Sequence, residues 1–207
     1  PDRQTILFSA TLDDDVALLV DKYQNDPVTI EVGPKQVSME SMKHLFWMVR
    51  GQEKPDIAFD AIQKAGRSIL FCRTRAAVDR VGDELSDLGM MVATLHGGLN
   101  QKQREKAMQR FTTSRAKVLI ATDVAARGID IEGVHCVIHY DPPENGKAYK
   151  HRSGRTARAG SIGTVICIVQ NPQRRQYQRL QRDVGIRCEF TQPDFEDLPA
   201  NDFELIA

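Results

Sequence analysis

Short apolar runs alternate along the chain with segments in which apolar side chains recur every three or four positions. Apolar runs bounded by glycine or polar residues predict buried strands, and the second pattern predicts amphipathic helices. The predicted strands are His44–Val49, Ser68–Cys72, Met91–Leu95, Lys117–Ala121, Cys136–Tyr140, Thr164–Val169 and an edge strand at Arg187–Phe190. This alternation predicts an α/β fold in which helices cover both faces of a parallel sheet.

Polar residues mark where the predicted helices begin. Thr74, Asn100 and Asn145 each precede a helical segment, and a side-chain oxygen there accepts a hydrogen bond from a first-turn N–H. Gly66 and Gly89 follow helical segments and suit the left-handed conformation that ends many helices.

The chain before residue 33 has its own short pattern. It contains an apolar run at Thr5–Phe8, a helix predicted over Asp13–Tyr23 with three acids at its start, and an extended stretch at Val28–Val32. Acids in a first turn complement the helix dipole, which supports the predicted helix.

Residues 33–39 predict a linker, because they interrupt the alternating pattern with glycine, proline and polar residues. The predicted organisation is therefore a first unit over 1–32, a linker over 33–39 and a main domain over 40–190. An acidic tail over 191–207, which we expect to be flexible, completes it.

Composition excludes several classes of protein. The chain has 207 residues and a formal net charge of zero, so no overall field attracts a polyanion. Charge is nevertheless uneven: residues 147–182 contain nine Lys or Arg and no acid, and 191–207 contain five acids and no base.

No apolar run is long enough to span a membrane, and we expect a cytoplasmic location. Four cysteines without a CxxC spacing predict reduced core thiols.

Small, hydroxylated and charged residues follow the predicted strands. Ligands of parallel α/β sheets bind at the carboxyl ends of the strands, where such residues would collect. The segments concerned are Ser9-Ala10-Thr11, Arg73-Thr74, His96-Gly97-Gly98, Thr122-Asp123 and Ala126-Arg127-Gly128-Ile129-Asp130.

Three arginines at spacings of three, Arg152, Arg155 and Arg158, stand among glycines and alanines. This spacing predicts that they share one face of a helix end or tight turn. Guanidinium groups present forked donors that suit phosphate oxygens, so the triplet indicates arginine fingers for a nucleotide held partly elsewhere. A solvated basic helix is the alternative interpretation of such a triplet.

These segments together resemble the DEAD-box family of RNA helicases, in superfamily 2. Ser9-Ala10-Thr11 is similar to the SAT motif, 68–74 to motif IV, and His96-Gly97-Gly98 with Gln101–Arg104 to the HGD and QxxR segment. Residues 121–130 resemble motif V, and His151–Arg158 matches the HRxGRxxR pattern of motif VI. The resemblance implies a RecA-like domain and extends to about Phe190.

The resemblance also implies roles for individual residues. In this family Arg155 and Arg158 would approach the γ-phosphate of ATP, while Asp130 would accept a hydrogen bond from the ribose and Gly128 would allow close backbone approach. The residues implied to contact the RNA sugar–phosphate backbone are Gly97, Arg104 and Thr122, with Arg73 and Arg127 as helpers. Those implied to couple the two helicase domains are Ser9, Ala10, Thr11, His151 and Arg152.

The family's phosphate-binding loop and DEAD carboxylates precede SAT, and no GxxxxGK[ST] occurs in this chain. The resemblance therefore implies a C-terminal RecA-like domain preceded by a short remnant of the N-terminal one. ATP and RNA are the implied ligands, and the ligands of Mg²⁺ are expected in the N-terminal domain. We expect a monomer that is inactive alone and pairs with that N-terminal domain, without a membrane partner.

Three positions depart from the family pattern. Gly98 replaces the aspartate of HGD, and Ser153 and Ala157 replace the common isoleucine and glycine of motif VI. The arginine spacing is intact, so we expect the function to be retained. The arginines at 174, 175, 179 and 182 on the last predicted helix indicate either a solvated face or an extension of the RNA path.

Two other functions stay open at this point. One is a superfamily 2 DNA helicase of the RecQ-like or DEAH-like kind, although those usually begin motif VI with glutamine where this chain has His151. The other is a non-catalytic RNA-binding module with a helicase fold, which would not need the finger geometry of Arg155, Arg158 and Asp130.

Overall fold

The structure is a computed structural model that describes residues 4–8, 14–30, 39, 42–126, 129, 131, 133–156 and 163–198. It divides into two compact units, Pro1–Lys35 and Gln36–Ala207. The first contains helix α1, Asp14–Tyr23, and the Gln24 side-chain amide donates to the carbonyl of Thr5 at 3.1 Å.

The apolar runs of the first unit are not strands in the part of the chain that the structure describes. Residues 4–8 and 28–30 are irregular, and Phe8 and Val28 are 91% and 87% exposed. A strand needs a neighbouring ladder for its backbone groups, and no described segment supplies one to these runs.

The described residues of the second unit form a seven-stranded, fully parallel sheet, as the alternating pattern predicted. Its strands are β1 Lys43–Met48, β2 Ser68–Phe71, β3 Val92–Leu95, β4 Val118–Ala121, β5 Cys136–His139, β6 Thr164–Val169 and β7 Phe190–Thr191. Their order across the sheet is β3-β4-β2-β5-β6-β1-β7. Strands β2, β4, β5 and β6 are buried along their whole length, which explains why they are continuous apolar runs.

Helices connect successive strands and cover both faces. They are α2 Lys54–Ala65, α3 Arg75–Asp87, α4 Gln101–Thr112, α5 Asp123–Ala126, α6 Gly146–Ser153 and α7 Arg174–Val184. The short 3₁₀ turns Gly51–Glu53 and Asn171–Gln173 precede α2 and α7. Alternate strand residues define two faces: Leu70 packs in one core cluster with α2 and α3, and Ile69 packs in another with α4 and α5.

The predicted caps are in place at three helix starts. Thr74 Oγ1 accepts from the N–H of Ala77, and Asn100 and Asn145 accept in the same way from the third residue of α4 and α6. Because parallel strands feed these helices from one edge, α3, α4 and α6 all begin near the carboxyl end of the sheet.

The end of the domain lies later than the sequence indicated. β7 pairs with β1, the ring of Phe195 packs edge-on against Trp47 at 5.3 Å, and Leu198 is buried. Lys43 also pairs with Asp197. The flexible acidic tail expected over 191–207 therefore needs correction for residues 191–198, because two apolar side chains among the acids anchor this segment to the core.

No helix among the described residues combines the length and apolar composition needed to cross a membrane.

Close packing of α3 on β3 gives a test of the fold. A Cβ at Gly82 would lie 2.8 Å from the Thr94 methyl group, although alanine favours a helix over glycine by about 1 kcal/mol. We expect Gly82→Ala to lower the free energy of unfolding by about 1 kcal/mol, because overpacking outweighs propensity. Urea denaturation measures the change.

Thr94→Ser removes that methyl group, so the double variant Gly82→Ala/Thr94→Ser should be at least as stable as Thr94→Ser alone. Equal destabilisation by Gly82→Ala in both backgrounds would contradict this packing.

Candidate functional site

The carboxyl ends of the central strands lie side by side. Phe71 pairs with Ala121 on one side and His139 on the other, and Leu95 pairs with Ala121. The residues that follow these strands are therefore neighbours at one edge. They are Arg73 and Thr74 after β2, His96 to Gly98 after β3, Thr122 and Asp123 after β4, and Tyr140 and Asp141 after β5.

A buried ion pair lies at the centre of this edge. The side chain of Arg152 is fully buried, and its Nε and Nη2 donate to the two carboxylate oxygens of Asp123 at 2.6 and 2.7 Å. Its Nη1 donates to the carbonyl of Asp141 at 2.7 Å. The guanidinium thus joins α6 to the loops after β4 and β5, and a forked donor facing both carboxylate oxygens fixes its orientation.

Asp141 continues the network on the other side. Its Oδ2 accepts from the backbone N–H of Arg73 at 3.0 Å, and its Oδ1 faces Lys54 Nζ at 3.3 Å. Lys54 is buried, donates to the carbonyl of Tyr140 at 2.5 Å and lies over the Tyr140 ring. Burial lowers the pKa of Lys54, and the Asp141 carboxylate opposes that shift. The sequence alone predicted no role for Lys54, Asp141 or Asp123.

Arg155 lies in the turn after α6, not on the helix itself. The spacing predicted one shared face of a helix end or tight turn. α6 ends at Ser153, and the two described arginines point in different directions, Arg152 into the core and Arg155 toward the loop after α5. Arg155 Nη1 donates to the carbonyl of Ile129 at 2.7 Å and its Nε to the carbonyl of His151 at 3.2 Å. Burial lowers the pKa of Arg155, which nevertheless keeps its charge at neutral pH.

Aromatic and imidazole rings pack around the buried residues of α6. Tyr149 stacks on His139 with ring centroids 4.7 Å apart, and His139 Nε2 is 3.3 Å from the hydroxyl of Ser153. Tyr149 also bonds to His44 Nδ1 at 2.7 Å, while His44 Nε2 donates to the Met39 carbonyl at 2.8 Å. Burial, followed by the nearby Arg152 charge, holds the pKa of His139 well below its usual value, and burial also lowers the pKa of His44.

In the loop after β3, His96 is buried, whereas Gly97 and Gly98 are exposed. His96 Nε2 pairs with Asp79 at 3.0 Å, and its Nδ1 accepts from the N–H of Gly98 at 3.1 Å. A Cβ on Gly97 would lie 3.2 Å from Arg75 Nη2, and one on Gly98 would lie 3.0 Å from His96 Nδ1. Glycine at both positions thus leaves room for these side chains, including at the position where the family pattern has aspartate.

Three further residues predicted from the sequence lie at or near this edge. Thr122 is buried at the end of β4, and its carbonyl accepts from the N–H groups of Ala125 and Ala126. Arg104 is half-buried in the first turn and a half of α4, and Arg73 is exposed after β2. The structure therefore gathers Arg73, Gly97, Arg104, Thr122 and Arg152 on one side of the domain. His151 is half-buried in the last turn of α6, and Arg155 follows that helix. The other predicted residues lie outside the described residues: Ser9, Ala10, Thr11, Arg127, Gly128, Asp130 and Arg158.

This domain is similar to known helicase domains in sequence and in fold. Residues 53–160 match the family model of the helicase conserved C-terminal domain. E. coli DEAD-box protein SrmB, solved bound to regulator of ribonuclease activity A, is 33% identical with a TM-score of 0.65. The match covers 77% of this chain and 98% of that one. The chain belongs to the DEAD-box RNA helicases.

Two more DEAD-box relatives extend the match beyond the C-terminal domain. S. cerevisiae Dbp5 bound to RNA and ADP BeF3 is 31% identical with a TM-score of 0.76, over 92% of this chain and 51% of that one. Bacillus subtilis ATP-dependent RNA helicase DbpA is 36% identical over 209 residues, covering 100% of this chain and 44% of DbpA. The chain thus spans about half the length of these DEAD-box relatives.

The buried His139 makes the stability of this DEAD-box domain depend on pH. In the unfolded chain, His139 takes up a proton below its ordinary pKa of 6.5, whereas in the folded domain burial keeps it neutral to a lower pH. Protonation therefore favours the unfolded chain, so the stability of the folded domain is unaffected by this group above pH 6.5 and decreases below it. We expect the free energy of unfolding to fall by about 1.4 kcal/mol per pH unit for this group below that point. Urea denaturation between neutral and mildly acidic pH measures the slope.

His139→Gln should be less stable at neutral pH but should have a shallower pH dependence, with the part due to His44 remaining. An unchanged slope in His139→Gln would show that His139 is not held neutral in the folded domain.

Proposed function

We propose that this chain is the C-terminal RecA-like half of an ATP-dependent RNA helicase that couples ATP hydrolysis to local RNA unwinding or remodelling. ATP and single-stranded RNA bind between this domain and an N-terminal RecA-like domain of the same protein. Closure of the two domains bends the strand, and hydrolysis reopens the cleft and releases the RNA. The chain supplies arginine fingers and part of the RNA surface, and is inactive alone.

The placement of Arg155 is the observation that carries this proposal. Two backbone carbonyls, of Ile129 and His151, orient its guanidinium, and the helix beneath it is held by the buried Arg152–Asp123 pair. Hydrolysis of ATP builds charge on phosphoryl oxygens, and a guanidinium already oriented toward them stabilises that charge without reorganisation. We assign Arg155 and, by resemblance, Arg158 to this role.

The remaining roles follow the family pattern. Asp130 and Gly128 take the ribose side of ATP, and Mg²⁺ is held by the N-terminal domain. The loop of Gly97 and the side chains of Arg104, Thr122, Arg73 and Arg127 contact the RNA sugar–phosphate backbone, which positions a strand without reading its sequence. Ser9, Ala10, Thr11, His151 and Arg152 couple the two domains. The working protein is a cytoplasmic monomer.

ATP turnover by the complete helicase that contains this chain tests the proposal. We expect turnover to depend on RNA and to fall about a thousandfold in Arg155→Ala, because one charge that stabilises the transition state is lost. DNA of the same sequence should stimulate weakly, since it lacks the 2′-hydroxyl groups by which RNA is distinguished. A coupled assay of ADP release measures all of these rates.

Arg115→Ala is the matched control, because Arg115 is an exposed arginine at the opposite edge of the sheet. It should keep the wild-type rate, and the 207-residue chain alone should show no RNA-stimulated turnover. Turnover that is indifferent to Arg155, or is driven equally by DNA, would contradict the proposed mechanism or substrate.

A further inference from the structure

Helix α7 presents a row of arginines directly opposite its buried side. Tyr177, Leu180, Gln181 and Val184 are its buried residues. At 3.6 residues per turn, residues 175, 179 and 182 fall within an arc of about 60° on the far side of the helix. All three side chains are exposed. We call Arg175, Arg179 and Arg182 the α7 arginine row; it is about 10 Å long at about 1.5 Å per residue.

The α7 arginine row is unusual for an exposed helix face because it has one sign of charge. None of its three guanidinium groups forms an ion pair with a described residue, and the nearest acid in sequence, Asp183, projects about 70° away from the centre of the row. Arg175 and Arg179, four residues apart, repel each other, and Arg175 stands in the first turn, where the helix dipole disfavours a cation. An anionic ligand would offset both the repulsion between Arg175 and Arg179 and the unfavourable interaction of Arg175 with the helix dipole.

Helix α7 covers the same face of the sheet as α4, which carries Arg104 of the proposed RNA surface. Val137 in the cluster under α4 pairs with Val165 in the cluster under α7, and paired residues point to one face. Strand β6, which precedes α7, is four strands from β3, which precedes the loop of Gly97. At about 4.8 Å per strand, β6 and β3 are about 19 Å apart across the sheet, which is the length of roughly six stacked nucleotides.

We propose that the α7 arginine row is a second RNA contact, which holds the sugar–phosphate backbone of RNA that extends beyond the strand in the interdomain cleft. This inference rests on the proposed function, since it assumes that RNA occupies the cleft. The row contributes affinity and length dependence but no sequence preference, because guanidinium contacts to phosphates do not read bases.

The chemistry of the face favours RNA over an acidic protein as the ligand. Arginine forks match phosphate oxygens and are weakly hydrated, which reduces the cost of contact with a polyanion. Protein docking sites have an apolar or aromatic centre, whereas the other exposed residues of α7 are all polar or charged: Arg174, Gln176, Gln178 and Asp183.

The test is RNA binding by the complete helicase that contains this chain, measured by fluorescence anisotropy with labelled oligouridines of about six and about thirty nucleotides. The variant Arg175→Gln/Arg179→Gln/Arg182→Gln should bind the long RNA roughly tenfold more weakly and the short RNA equally well. Its salt dependence between about 50 and 200 mM KCl should be shallower by about 2 in log–log slope, since three phosphate contacts are lost.

Two further variants isolate the effect. Lys106→Gln/Arg110→Gln/Arg115→Gln removes the same charge from exposed positions on α4 and the loop after it, and should bind both RNAs as the wild type does. Arg175→Lys/Arg179→Lys/Arg182→Lys keeps the charge and should retain most of the salt slope. Circular dichroism and thermal melting confirm that each variant is folded.

Unchanged long-RNA affinity and salt slope in the glutamine variant would overturn the inference while leaving the proposed function intact, provided that Arg104→Gln weakens binding of the short RNA. An equal loss in the α4 control would also overturn it, because the effect would then be net charge alone. If the α7 arginine row bound an acidic protein instead of RNA, the glutamine variant would lose binding to polyglutamate, which stands in for such a protein, and would keep its RNA affinity. Failure of the wild type to bind either RNA would instead contradict the proposed function itself.

Discussion

The arrangement of this edge of the domain depends on one buried ion pair, between Arg152 and Asp123. A guanidinium excluded from water is stable only when its donors are matched, and here three of its nitrogens bond to oxygens of Asp123 and Asp141. The two residues are 29 positions apart in the sequence, and the helices that carry them follow different strands, β4 and β5. Such a pair adds little net stability over an apolar substitute, but it holds α6 in one orientation against the first residue of α5.

Motif VI illustrates how neighbouring arginines take different roles on one short segment. Arg152 is buried and holds the helix, and Arg155, one turn later, is half-buried and oriented by carbonyl groups. Lys54 and Asp141 extend the same network to the backbone of Arg73, next to the proposed RNA surface. The proposed nucleotide and RNA surfaces are therefore linked through buried polar contacts, so a displacement of one loop would also displace the other.

The parts of the structure that depend on local sequence could be predicted, and those that depend on distant partners could not. Thr74, Asn100 and Asn145 cap helices through residues three positions away, and β6 is the apolar run Thr164–Val169. The arginine spacing predicted one shared face of a helix end or tight turn, but Arg152 is buried against the carboxylate of Asp123, whereas Arg155 faces the carbonyl of Ile129. Lys54 gave no signal because its partners lie 86 and 87 residues away. Phe195 and Leu198 were obscured by the acids around them.

A double-mutant cycle on the rate of RNA-stimulated ATP hydrolysis by the complete helicase tests most directly whether the buried pair positions the catalytic edge. The variants are Arg152→Gln, Asp123→Asn and both together, at a temperature where circular dichroism shows each to be folded. If the pair acts as one unit, the double variant loses about as much kcat as either single variant. Losses that multiply in the double variant would show that the two residues act independently, and would contradict the account.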